Sequence, residues 1–174
     1  MLQERIKLTP ESTSPILLEI KQAFGGRVPN LFKAYAKYPP LLETNWKKVK
    51  EILLNGKLRR KVKEAIAAVI SQDNGCKYCV AAHTAALRSM KVTEPQISAI
   101  LQGLLPEDFT EKEAALIRFT RKANQNWHSI SNADLKALFD LGIEDDELLE
   151  ALGTMELFIA FNRFADVMGI EIDF

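Results

Sequence analysis

The sequence has little sulfur and little imidazole: two cysteines and two histidines in 174 residues. Two cysteines exclude a disulfide-stapled scaffold, and two histidines leave few residues from which to build a multi-ligand metal centre. Net charge is also missing, because 23 Lys and Arg face 23 Asp and Glu. That balance gives no reason to expect a nucleic acid or an anionic membrane as partner. No apolar run approaches the ~20 residues that span a bilayer, and the opening MLQERIKLTPEST has no apolar core of a secretory signal. The expectation is a soluble, cytoplasmic protein. No segment alternates with period two, which excludes half-buried strands and predicts an all-α fold. The length suits a single domain over residues 1–174, with residues 1–14 as a polar N-terminal arm.

What is present is helical spacing broken by turn residues. A short helix is expected from about Ser14 to Phe24, stopped by Gly25-Gly26. Pro29 suits a helix start, and Pro39-Pro40 breaks the chain before a helix whose Leu42, Trp46, Val49, Ile52 and Leu53 recur at three and four. Asn55-Gly56 stops that helix. The next, from about Arg59 to Gln72, opens on the basic run Leu58-Arg59-Arg60-Lys61 and ends at the turn Asp73-Asn74-Gly75. A further helix runs from near Cys76 to Met90. Thr93-Glu94-Pro95 caps another to about Gln102, Leu104-Leu105-Pro106 is a loop, and a long apolar helix is expected over Asp145 to Met168. Trp46, Phe158, Phe161 and Phe164 are core or interface residues by type, and His128 is a surface or loop residue. A weak internal repeat relates Met90 to Leu101 with Leu141 to Leu152, and Glu64-Ala65-Ile66 loosely with Glu113-Ala114-Ala115. The second copy lacks the cysteines.

Chemistry concentrates between Glu64 and Met90. Cys76, Cys79 and His83 are spaced three and four apart, on one face of a helix. A thiol at a helix N-terminus gains acidity from the free N–H groups and the helix dipole, and His83, one turn beyond Cys79, is placed to exchange a proton with it. Glu64 would orient His83 if its helix packs antiparallel to the cysteine helix. A thiolate oxidised to sulfenic acid can be captured by a thiol three residues away, and an external dithiol must then reset the disulfide. Other readings stay open on these residues. The cysteine pair could bind zinc, although zinc needs further ligands and His128 has no ligand-like neighbours. Glu64 alone could be a solvated helix residue, and Tyr78 a packing aromatic.

The pattern Glu64, eleven residues, Cys76-x-x-Cys79, three residues, His83, within A-x-x-x-S-x-x-N-G-C-x-Y-C-x-x-A-H, closely resembles the alkyl hydroperoxidase D (AhpD-like) branch of the carboxymuconolactone decarboxylase superfamily. The resemblance runs from about Val28-Pro29-Asn30-Leu31-Phe32 to Asn162-Arg163 and is strongest to peroxidase-related members. It implies an all-α fold, a homo-oligomer (trimer or hexamer), and a thiol peroxidase acting on hydroperoxides without a cofactor or metal. A lipoyl-domain or thioredoxin-like dithiol would regenerate it. By the same resemblance Cys79 is the peroxidatic thiol, Cys76 the resolving one, and Glu64 and His83 form the proton relay. The family prototype has a histidine where this chain has Tyr78, and tyrosine is a poor base near neutral pH, so a shorter relay is expected. The decarboxylase branch uses no C-x-x-C pair, which disfavours its lactone chemistry. Two alternatives to a peroxidase are a redox-responsive oligomer and a thiol-disulfide oxidoreductase with little peroxidase turnover.

Overall fold

A computed structural model describes residues 6–11 and 14–174. Half of the expected N-terminal arm is therefore described, while its residues 1–5 and 12–13 lie outside the described set. The described residues form nine α-helices and no strand: α1 (Pro15–Ala23), α2 (Asn30–Tyr35), α3 (Pro39–Lys48), α4 (Arg60–Asp73), α5 (Lys77–Ser89), α6 (Glu94–Leu101), α7 (Glu111–Asn126), α8 (Asn132–Asp140) and α9 (Asp145–Met168). The chain thus has the all-α fold its spacing predicts. Among the described residues no helix is long and apolar enough to cross a membrane.

Local chemistry sets the helix starts. Prolines occupy the first positions of α1, α3 and α6, where a missing N–H costs nothing. Capping boxes open α6 (Thr93 with Gln96), α7 (Thr110 with Glu113), α8 (Ser131 with Asp134) and α9 (Glu144 with Glu147). The helix expected through Leu53 is not α-helical throughout. Its last turn, Val49–Leu54, widens to a π-helix, and the backbone N–H of Asn55 bonds the Lys50 carbonyl at 3.0 Å.

The centre of the molecule is α4, on which every residue from Val62 to Ser71 is buried. Its alanines let neighbours approach closely, and it packs against α5, α6, α7 and α9. One apolar core lies toward α1–α3, built on Leu17, Phe32, Trp46 and the distal half of α9. A second lies toward α6–α8, built on Ile66, Ile70, Ile100 and Leu116. The helix α9 spans both, contributing Leu148 and Ala151 to one and Leu157, Phe158 and Phe161 to the other.

The internal repeat is visible as backbone geometry. After α5, Lys91 takes φ 63°, and the Val92 N–H returns to the Leu87 carbonyl at 3.1 Å. After α8, Gly142 takes φ 77°, and the Ile143 N–H returns to the Leu138 carbonyl at 3.2 Å. The same sequence offset relates Lys91 to Gly142, the caps Thr93 to Glu144, and the helix starts Glu94 to Asp145. It also relates the caps Arg59 and Thr110, which places Ala115, not Glu113, opposite Glu64. The upstream echo is thus two residues out of register. Glu113 has its own task, capping α7 and binding Arg59.

Candidate active site

A carboxylate cut off from water must be satisfied internally, and Glu64, 1% exposed within the buried run of α4, is such a group. One oxygen, Oε2, meets Nδ1 of His83 at 2.7 Å across the α4–α5 pair. The other, Oε1, accepts from Nε of Arg60, one turn earlier on α4, at 2.6 Å, and the Nη2 of the same guanidinium lies 2.6 Å away as an ion pair. Burial works to raise the Glu64 carboxyl, but the His83 hydrogen bond and the charges of His83 and Arg60 outweigh it and hold the group below its ordinary range. The adjacent buried Lys63 belongs to a different pair, donating to the Asn55 carbonyl and, at 2.7 Å, to Glu150.

Because Nδ1 of His83 is engaged by the carboxylate, the ring's Nε2 is the nitrogen left for chemistry. The ring is 5% exposed and is held edge-on against Phe158, with centroids 4.2 Å apart. His128, the second histidine, sits in a short 3₁₀ turn, Trp127–Ser129, at the exposed surface. Among the described residues no group of three or more His, Cys, Asp or Glu is arranged to hold a metal ion.

The cysteines stand where Asp73-Asn74-Gly75 turns the chain from α4 into α5. Cys76 is the N-cap of α5 and Cys79 lies in its first turn. Both are free thiols and both are buried. The sulfurs share a hydrogen bond that lowers the Cys76 thiol and raises that of Cys79, so the pair releases one proton readily and holds the second. Burial opposes charge on both. The Asn162 side chain donates toward Cys79 and favours its thiolate, while the Asp166 carboxylate opposes a charge on either sulfur. Asn162 is fixed in turn: its amide donates to Ser71 Oγ at 2.9 Å and its oxygen accepts from Asn74 at 2.9 Å.

Access ranks the two thiols the other way round from acidity: Cys76 is the more acidic, but Cys79 is the one that faces open space. A cavity of about 570 Å³ is lined by Cys79, His83, Glu64 and Arg60 at one wall, and by Leu31, Phe32, Val49, Leu53, Phe158 and Phe161 elsewhere. Cys76 does not line it. The π-helical turn supplies Val49 and Leu53 to this apolar wall.

Tyr78 also lines the cavity but is bound elsewhere by its hydroxyl, which accepts the Leu31 N–H at 3.1 Å and faces the Asp173 carboxylate. Burial pushes this hydroxyl above its ordinary range. Its ring meets Phe174 at 5.4 Å, and Asn30 and Arg27 bind the same C-terminal stretch. Tyr78 thus ties α5 to α2 and to the segment after α9.

The structure therefore brings all four expected site residues, Glu64, Cys76, Cys79 and His83, to one place. The sequence reading passed over Arg60 and Asn162. The spacing of Arg60 and Glu64, one helical turn apart, was a usable signal for the first; Asn162 carried none.

Residues 39–122 match the model of the carboxymuconolactone decarboxylase family, a segment that contains all four residues. Just under half of the chain thus resembles a domain of that family, and the fold as a whole is AhpD-like. An alkyl hydroperoxide reductase of Mycobacterium tuberculosis is 33% identical over 95 residues, which are 55% of this chain and 27% of that protein. The chain thus matches little more than a quarter of that relative's length. The AhpD core of a peroxidase-related protein from Ralstonia eutropha JMP134 superposes with a TM-score of 0.84 at 26% identity, covering 97% of this chain and 92% of the other. The debrominase Bmp8 shares the fold, with a TM-score of 0.83 at 18% identity over 99% and 94% of the two chains. The chain therefore has the AhpD-like fold, which is shared by a peroxidase-related protein and by a debrominase.

Proposed function

We propose that the protein is a thiol-dependent peroxidase that reduces organic hydroperoxides with the Cys76–Cys79 pair. The observation that carries this reading is the Glu64–His83 contact of 2.7 Å on the wall of the cavity that Cys79 lines. Cys79 passes its proton to the more acidic Cys76 sulfur to which it is hydrogen-bonded, and its thiolate attacks a peroxide oxygen; an S–O bond forms as the O–O bond breaks, and the alcohol leaves with a proton delivered by His83. Cys79 is left as a sulfenic acid. Cys76 then attacks that sulfur, forming the disulfide and releasing water. Two electrons have moved from the thiols to the peroxide, and an external dithiol returns them by two thiol exchanges.

Cys79 is assigned the attack because it lines the cavity, and Cys76 the resolution because it does not. The apolar remainder of the cavity favours a hydroperoxide with a hydrocarbon body over hydrogen peroxide, since a water-sized molecule needs only about 30 Å³. A lipoyl-domain or thioredoxin-like reductant, assembly into a trimer or hexamer, and a cytoplasmic location complete the reading by family likeness.

The test is the intact mass of the reduced protein, alkylated under denaturing conditions seconds after one equivalent of an alkyl hydroperoxide is added. Rapid loss of both alkylatable thiols, with Cys76 linked to Cys79, is expected. Thiols that survive the exposure would overturn the peroxidase reading and move a redox-responsive role ahead.

A further inference from the structure

We infer that Arg60 is a positioning residue of this site, one that fixes the Glu64 carboxylate toward His83 and sets the pH at which the Glu64–His83 pair gives up its proton. The inference rests on the proposed relay, and it concerns a residue outside the thiol, histidine and carboxylate set.

The geometry is specific. Arg60 grips a single oxygen of Glu64, Oε1, with both Nε and Nη2, leaving Oε2 to His83 alone. A carboxylate held from two sides cannot rotate, so the imidazole is held by Nδ1 and its Nε2 edge is fixed. Arg60 is suited to this because its stem rises from α4 one turn before Glu64, its side chain is 31% exposed, and its head lines the cavity. The guanidinium thus pairs a buried charge without being fully desolvated itself.

Charge leads to the same conclusion. The acid form of the pair carries one proton more than the basic form, in which the imidazole is neutral and the carboxylate ionised. A fixed positive charge beside the pair disfavours the protonated form, so Arg60 lowers the pH at which the base becomes available. Few other groups compete for this role. From α5 the other titratable groups lining the cavity are Cys79 and Tyr78, the latter's hydroxyl being taken up by the Leu31 N–H and Asp173, and from α9 the neighbour of His83 is the ring of Phe158. Arg27, the other cavity cation, is engaged by the Asp173 carbonyl at 2.7 Å and the Phe174 ring, and Lys63 is paired with Glu150.

The experiment is a titration of the full chain labelled with ¹³C-histidine, in wild type, Arg60→Gln and Arg60→Lys, with His128→Asn as background to leave His83 as the only signal. In Arg60→Gln the midpoint read on His83 is expected to rise by about 1 pH unit or more, the shift typical of removing a nearby charge. Arg60→Lys keeps the charge, so its midpoint is expected to stay near that of wild type. A natively folded Gln variant with an unchanged midpoint would overturn the inference. So would a Lys variant whose midpoint rises, and that result decides the matter even if the Gln variant does not fold. The readout involves no peroxide. If the midpoint moves but wild type leaves hydroperoxide intact, the peroxidase reading fails and the role of Arg60 stands.

Discussion

Glu64 and His83, on successive helices, meet at 2.7 Å although 19 positions separate them in sequence. The contact exists because the short Asp73-Asn74-Gly75 turn folds α5 back along α4, and because α4 is too deeply buried for Glu64 to find water instead. Replacing Glu64 by Gln keeps the volume and removes the charge that orients the imidazole. Peroxide-driven oxidation of Cys79 is expected to slow by about 10²-fold, the low end of what a positioned acid–base group contributes. Stopped-flow measurement of thiol loss checks this, with wild-type kinetics as the contrary result.

The two cysteines are expected to fail differently. Cys79→Ser removes the thiol that faces the cavity and abolishes peroxide consumption. Cys76→Ser leaves the attack intact but removes the capturing thiol, so one equivalent of peroxide is consumed and a sulfenic acid persists on Cys79. Trapping with a sulfenate-specific reagent followed by peptide mass mapping distinguishes the two. Full turnover by Cys79→Ser would assign the attack to the wrong sulfur.

Much of this site was legible before the fold was known, and the reason is local. Cys76, Cys79 and His83 lie within one helical stretch, so spacing alone puts them on one face, whereas the arrival of Glu64 beside His83 depends on how α4 packs against α5, which spacing leaves open. The helix boundaries read from Gly25-Gly26, Pro39-Pro40 and Thr93-Glu94-Pro95 follow the same local logic. What depended on tertiary packing was not legible. Asn162 reaches Cys79 from α9, and Phe32 and Phe161 wall the cavity from opposite ends of the chain. The helix α8 has no counterpart among the expected helices: its nine residues bury only Leu138 fully, although the Ser131–Asp134 box announces its start.

Tyr78 is expected to matter for stability and not for proton transfer. Its hydroxyl accepts the buried Leu31 N–H at 3.1 Å, so Tyr78→Phe leaves that donor without a partner. A loss of about 1–3 kcal/mol is expected for an unsatisfied buried donor. Urea denaturation gives the loss, and the rate of Cys79 oxidation is expected to stay within about twofold of wild type, well short of the effect of a lost acid–base group. A large fall in that rate with unchanged stability would place Tyr78 in the relay.

Acid is expected to weaken the fold through Glu64. Its carboxyl is held below the ordinary 4.5, so its pairing with His83 and Arg60 contributes stability that is fully present above pH 4.5 and lost as the pH falls through the folded value. Glu113, held down by Arg59 and Thr110 against a burial effect of opposite sign, adds to the same slope. Asp173 opposes it, because burial raises its carboxyl above 3.8 and makes its ionisation a cost to the fold. Urea midpoints measured between about pH 3 and pH 6 should therefore fall toward acid in wild type and fall less in Glu64→Gln. Parallel profiles would show that Glu64 titrates alike folded and unfolded.

The strongest destabilisation from a single polar change is expected at Lys63, a lysine 1% exposed inside α4. Its ammonium bonds the Asn55 carbonyl and Glu150, and Glu150 in turn receives the backbone N–H groups of Lys57 and Leu58, so one ion pair pins the loop between the π-helical turn and α4 onto α9. The loop passes so close to Glu150 that a Cβ on Gly56, at φ 110°, would meet its carboxylate at 2.2 Å. Lys63→Met keeps the apolar stem and deletes the charge, leaving Glu150, whose side chain is 13% exposed, without its cation. Breaking one half of a buried pair costs about 3–5 kcal/mol; water at the partly exposed Glu150 brings the expectation to the low end, about 3 kcal/mol. In Lys63→Met with Glu150→Gln the amide oxygen can still accept the two loop N–H groups and no charge is stranded, so stability should recover most of that loss. A double variant no more stable than Lys63→Met would show that the cost lies in the lost contact with the Asn55 carbonyl and not in the orphaned carboxylate.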